Sequence, residues 1–207
     1  MRSREEYDSI VDVIIQIYID YDFTLPLDLK MVCTRLGVTL IPFSECGTKR
    51  FSFNTQLKGF YIRGTSDSPP TIYYRDCLIS RGTSRFTIAH ELKHYVFNES
   101  SEDEADDELA DYFARYILCP IPYLIVKGVT TADEIESHCI VSATAARNAA
   151  SNILNRQKAH GFKIFDNEIP LLEHLTPVEF AAYKQAHYDP VSDSWDLLTI
   201  FNTKKTH

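Results

Sequence analysis

His90-Glu91-Leu92-Lys93-His94 is the stretch on which the reading of this chain turns. Residues four apart share one face of an α-helix, so its two imidazoles can close on a single metal ion. Glu91 sits next to a ligand, within reach of a water held at that ion. Phe86, Ile88, Ala89, Leu92, Tyr95, Val96 and Phe97 make the surroundings apolar on more than one side, so the helix is expected to be well buried. Ser80 or Thr83 can cap its start. Buried polar groups are costly unless paired or metal-bound, and this helix carries three. A surface helix with two solvated histidines is the competing explanation, and burial weighs against it.

The pattern H-E-x-x-H is the one zinc peptidases use, with the glutamate as general base. A catalytic zinc usually takes three protein ligands and keeps a fourth position for water, so one ligand remains to be found. The acidic run Glu99–Glu108 follows the helix, and a loop of about ten residues can return a second helix to the first. Most of that run reads as a solvated face. Asp107 has Asp111 one turn later, where a second carboxylate can orient a ligand histidine through its free N–H. Ala110 and Ala114 share that face and permit close helix approach. Glu108 lies on another face, toward Arg115, and is the alternative third ligand. The face argument favours Asp107 and leaves Glu108 open.

Working outward, residues 4–20 carry Tyr7, Ile10, Val11, Ile14, Ile15, Tyr18 and Ile19 at helical spacing. Pro26 is expected to open a second helix that Gly37 ends. Val38–Ile41, Leu57–Ile62 and Thr71–Tyr74 read as strands, the last two joined as a hairpin by the polar loop Gly64–Pro70. A helix is expected over about 105–118, stopped by Pro120 and Pro122. Residues 131–158 read as two helices around Ile140-Val141-Ser142. The tail from about 161 holds short mixed segments with Pro170, Pro177 and Pro190. Three segments follow: 1–122 with the metal helix, a helix-turn-helix-like extension over 123–160, and a mixed segment over 161–207.

The chain has 207 residues, 44% hydrophobic and 24% charged, which is ordinary for a soluble globular protein. Its net charge of −8 argues against direct nucleic-acid binding or attachment to anionic membranes as the main task. Five cysteines without a C-x-x-C pair, and no signal-peptide pattern, suggest free thiols in a reducing cytoplasm. No stretch is expected to span a bilayer.

Phe86-Thr87-Ile88-Ala89-His90-Glu91-Leu92-Lys93-His94, followed by Asp107 to Pro120 with Ala110, Phe113, Ala114 and Leu118 in register, resembles the ImmA/IrrE family of metallopeptidases. The family shows F-T-x-A-H-E-x-x-H and then E-x-x-A-x-x-F-A-x-x-L-L-x-P. The likeness covers about residues 25 to 120, with a weaker helical continuation to about 158. It implies an α+β, zincin-like domain with a small antiparallel or mixed sheet packed on helices, followed by a helical extension. It also implies a cytoplasmic Zn²⁺ endopeptidase whose partner is a helix-turn-helix transcriptional repressor. Two positions depart from the pattern. Asp107 stands where the family has a glutamate, one methylene longer, and Lys93 stands where glycine is frequent and is expected to face solvent.

In that reading His90, His94 and Asp107 hold zinc, Glu91 shuttles the proton, and Asp111 orients a ligand. Tyr112, His138 and Arg147 are candidates for a second electrophile. A substrate could add to an exposed strand edge, with Thr71–Tyr74 the expected one. Two rivals stand beside it. Residues 131–158 could read DNA as a helix-turn-helix, although Arg147, Arg156 and Lys158 are its only cations against Asp133, Glu134 and Glu136. Alternatively the chain is a non-proteolytic metal-binding regulatory protein.

Overall fold

The computed structural model describes residues 3–46, 56–77, 79–98, 104–191 and 193–195. Helix α1 (Arg4–Asp20) starts in a capping box, with Ser3 and Glu6 satisfying each other's backbone N–H groups. Its buried stripe is Ile10, Val11, Ile14, Ile15, Ile17 and Tyr18. The Tyr18 hydroxyl is buried and donates to the Ile117 carbonyl at 2.6 Å. Helix α2 (Leu29–Arg35) begins later than Pro26 would suggest. The Asp28 carboxylate accepts from the N–H groups of Lys30 and Met31, at 2.9 and 3.1 Å, and so fixes the start. Gly37 follows the helix at φ +76°, a left-handed conformation that glycine takes without strain.

Three short strands form a mixed sheet in the order β1 (Thr39–Pro42), β3 (Thr71–Tyr74), β2 (Gly59–Ile62). β3 pairs parallel with β1 and antiparallel with β2. The expected substrate edge at Thr71–Tyr74 is therefore wrong, because β3 is hydrogen-bonded on both sides. Ile72 at its centre is fully buried, as a strand paired on both sides and packed on a helix requires.

The sheet packs on α3 (Arg81–Val96), capped by the Ser80 hydroxyl accepting from the Thr83 N–H at 3.1 Å. Helix α4 (Glu104–Leu118) runs against α3. The contacts between them run from His94 with Asp107 to His90 with Asp111, so the two are antiparallel. Ala110, Phe113 and Ala114 are fully buried between the helices and their neighbours. Lys93 is a second correction: it is 1% exposed, and its Nζ lies 5.6 Å over the Phe97 ring. The helix is buried around more of its circumference than a lysine at that position suggested, and the long aliphatic stem carries the charge across the apolar zone to an aromatic face.

Beyond Pro120 come α5 (Ile121–Lys127), α6 (Ala132–Cys139) and α7 (Ala143–His160). Residues Asp107–Lys127 reach the length and mean hydropathy, 1.3, of a membrane-crossing segment, contrary to the sequence expectation. Yet 72% of that window is buried and Pro120 divides it between two helices, so it serves as core. The turn between α6 and α7 presses on the first turn of α3. A Cβ on Gly82 would lie 2.3 Å from the Ser142 nitrogen and the Val141 carbonyl carbon. Ile135, Cys139, Val141, Ala146, Ala149 and Ile153 turn inward and join the common core. A 3₁₀ turn (Asp166–Glu168), α8 (Ile169–Leu175) and α9 (Pro177–His187) follow, with Pro170 and Pro177 in first helical turns, where proline costs no hydrogen bond. A two-stranded ribbon, β4 (Tyr188–Asp189) with β5 (Ser194–Trp195), ends the described chain. Trp195 packs there against Tyr183 and Tyr188.

Candidate metal centre

Helix geometry puts His90 and His94 one turn apart on α3, with rings 5.4 Å centre to centre. From α4, the Asp107 carboxylate approaches both. Its Oδ1 lies 3.5 Å from His90 Nε2 and 4.0 Å from His94 Nε2. One ligand atom from each of the three residues falls within 4.8 Å of the others. Zinc–nitrogen and zinc–oxygen bonds of about 2.0–2.2 Å in a tetrahedron separate the donors by roughly 3.4 Å. The Asp107 oxygen stands close to that distance from His90 and somewhat farther from His94, and two imidazoles with one carboxylate are a donor set that suits the ion. His94 is 1% exposed and Asp107 58% exposed, so the centre has a closed floor and an open side.

Asp111 meets the other nitrogen of His90, Nδ1, at 2.9 Å. This fixes which imidazole nitrogen points at Asp107. Burial by itself lowers the proton affinity of His90, but the Asp111 hydrogen bond and the charges of Glu91, Asp111 and Asp107 outweigh it and raise it. The same hydrogen bond, with Arg115 and Lys58 nearby, depresses Asp111. The Glu108 side chain goes elsewhere, accepting from the Tyr7 hydroxyl at 2.8 Å. Of the acidic run, only Asp107 and Glu108 have described side chains.

Glu91 is 7% exposed. Burial pushes its carboxyl up to about 7, with the His90 ring opposing, Asp107 adding, and a hydrogen bond from the Tyr61 backbone N–H opposing. In the metal-free protein this leaves a carboxyl raised above its usual range by burial beside the ligand triad. Tyr61 belongs to β2, which lies at a sheet edge among the described strands. The Arg75 N–H donates to the Lys58 carbonyl at 2.8 Å, so residues 58, 60 and 62 bond toward β3. Gly59 and Tyr61 therefore turn their backbone groups to the outer edge, toward Glu91. A Cβ on Gly59 would lie 2.5 Å from Thr87 Cγ2, 2.8 Å from the Tyr73 carbonyl oxygen and 3.7 Å from Glu91 Cγ. Gly59 thus lets the edge strand seat directly on the metal helix. The sequence held a signal for it, since an isolated glycine within a strand often marks close backbone approach.

Each of the three candidates for a second electrophile has neighbours of its own. Tyr112 packs against Tyr7 and Tyr116, with ring centres 4.7 and 6.1 Å away. His138 Nε2 is 3.0 Å from the Tyr123 hydroxyl. Arg147 donates to the Thr144 hydroxyl at 3.2 Å.

The model of the peptidase M78 family's IrrE N-terminal-like domain matches residues 33–148, more than half the chain. This chain belongs to the M78 peptidase family. No curated protein matches it. At the level of the family it is a metallopeptidase. The M78 match spans α3, α4 and the sheet, which together supply His90, Glu91, His94, Asp107 and the β2 edge. It also takes in α6 and the first turns of α7.

Proposed function

We propose that this chain is a zinc-dependent endopeptidase that cuts a specific protein, a helix-turn-helix repressor, in the cytoplasm. The observation that carries the reading is the buried Glu91 carboxyl beside a triad of donors spaced for one metal ion. His90, His94 and Asp107 would hold zinc, and Asp111 would keep His90 oriented. Zinc, when bound, supplies a Lewis acid that polarises a carbonyl and acidifies water. Glu91 takes a proton from the attacking water and delivers it to the leaving amine. Its place beside the triad puts the carboxyl within reach of both proton transfers. A substrate segment adds in extended form along the outer edge of β2, where the Gly59 carbonyl and N–H face outward. The edge at β2 replaces the one expected at Thr71–Tyr74.

A metal-binding regulator without proteolysis would have no use for a buried carboxylate in that place. Glu91→Gln separates the two. Zinc content is expected to stay at the wild-type level while cleavage of the cognate protein falls by at least about 100-fold, the usual worth of a general base. Cleavage or in-cell derepression that survives Glu91→Gln unchanged would refute the peptidase reading.

A further inference from the structure

Two buried cysteines meet where α4 and α6 end. Cys119 follows the last turn of α4, its N–H bonded to the Arg115 carbonyl at 2.9 Å, and Cys139 is the last residue of α6. They are 6% and 0% exposed, and the Cys119 thiol donates a hydrogen bond to the Cys139 sulfur. Arg85, from the first turns of α3, stands beside them. Its Nη2 lies 3.5 Å from the Cys139 carbonyl oxygen. The side chain is buried and its Nε has no hydrogen-bond partner. Among the described residues no carboxylate forms an ion pair with it, and a buried cation without a paired anion is costly. A thiolate is the anion that this neighbourhood supplies. The hydrogen bond from Cys119 holds the Cys139 thiol below its usual range; burial opposes this and Arg85 adds to it.

A way in lies next to the pair. Cys119 forms part of the wall of a recess of about 80 Å³, together with Val141, two residues past Cys139. Arg115 and Asn152, both exposed, line it too and lead to solvent. A water needs about 10–15 Å³ of such space, so a molecule as small as hydrogen peroxide has room beside Cys119. We propose that Cys119 and Cys139 form a reversible oxidation site, in which peroxide joins them as a disulfide that staples α6 to the end of α4. The inference is independent of the peptidase reading. In the first step the Cys119 sulfur attacks a peroxide oxygen while its proton passes to the Cys139 thiolate. The O–O bond breaks, hydroxide leaves, and Cys119 becomes a sulfenic acid. The Cys139 sulfur then attacks Cys119, the S–S bond forms, the S–O bond breaks, and the Cys139 proton leaves with the hydroxyl as water. Both sulfurs are oxidised and the peroxide is reduced. A disulfide in a reducing compartment is usually transient and redox-sensing. This one closes a loop of about 20 residues and fastens the extension to the helix that carries Asp107.

Thiol mapping of the full chain tests this. The folded protein is treated with hydrogen peroxide, its remaining thiols are blocked with N-ethylmaleimide in urea, and it is digested without reductant for mass spectrometry. The Cys119 and Cys139 peptides are expected as one linked species, about 2 Da lighter than the two thiol peptides together, and dithiothreitol should separate them again. Exposed Cys77 shows that enough peroxide was added. The linked chain should melt roughly 5 °C or more above the reduced one. In Cys139→Ser the reaction should stop at the sulfenic acid, so that Cys119 takes up dimedone, and in Cys119→Ser the melting temperature should no longer respond to peroxide. Recovery of both wild-type thiols as maleimide adducts after Cys77 has been oxidised would overturn the site, and so would pairing of either with a different cysteine. A link that appears together with a lower melting temperature would mean that it forms only in an unfolded segment, and would overturn the staple as well.

Discussion

Asp107 is the residue on which the centre depends most, and it is the most exposed member of the triad. Its shorter side chain still reaches both histidines because Ala110 and Ala114 let α4 lie close to α3. Asp111 acts through His90, so Asp111→Asn is expected to weaken zinc affinity by roughly 10- to 100-fold without abolishing it, measured by competition with a chelator. Unchanged affinity would assign the Asp111 contact to packing only. Glu91 gives a signed pH effect in the metal-free protein. Its folded proton affinity, at about 7, lies above the usual carboxylate value. Between about pH 4.5 and 7 the folded state holds a proton that the unfolded state has lost. Stability therefore falls as pH rises through this window, by roughly 3 kcal/mol. Urea unfolding should show this slope in the wild type and a shallower one in Glu91→Gln. Parallel slopes would mean that Glu91 ionises normally. Much of this was legible in the chain: a four-residue spacing fixes which side chains share a helix face, whatever lies around them. The Lys93 environment was not, since how much of a helix's circumference is covered depends on elements distant in sequence.

At the scale of elements, two glycines set how closely the parts approach. Gly59 seats β2 on α3, and Gly59→Ala is expected to cost about 1–3 kcal/mol of stability and to push the strand edge off Glu91. Thermal unfolding and hydroxamate binding measured together check it, and a fully stable variant with normal binding would show that β2 has room to spare. Gly82 admits the α6–α7 turn at a distance no Cβ tolerates, so Gly82→Ala should destabilise by a similar amount and loosen the extension. Hydrogen exchange over residues 132–160 should rise in that variant, and unchanged protection would contradict the tight docking. Strand order was the element-level feature that the local pattern put wrong, with Thr71–Tyr74 expected at an edge. Periodicity marks β3 as a strand, but Thr71–Tyr74 became central because β1 and β2 both paired with it, a long-range choice that local pattern does not encode. The late start of α2 has a local cause, since Asp28 offered a better cap than the proline before it.

At the scale of the molecule, one apolar core runs from α1 through α3 and α4 to the extension and α9. Tyr18 on α1 bonds the end of α4, so the first helix supports the helix that presents Asp107. Arg156 on α7 holds Glu168 with two hydrogen bonds of 2.6 Å, with side chains 13% and 6% exposed. Removing one partner of such a buried pair leaves the other charge uncompensated. Glu168→Ala is therefore expected to cost about 3 kcal/mol in urea unfolding, and a cost under about 0.5 kcal/mol would place the pair in the class of surface ion pairs. The tail was the least legible region, because short helices that begin at prolines resemble loops until their tertiary partners are known.

The most direct test of the account is metal content by native mass spectrometry on the full chain, with Asp107→Ala and Glu108→Ala alongside. The account predicts about one zinc per wild-type chain, retained in Glu108→Ala and lost in Asp107→Ala. A wild type that holds no metal after zinc addition and dialysis, or a zinc ion that survives Asp107→Ala, would contradict it.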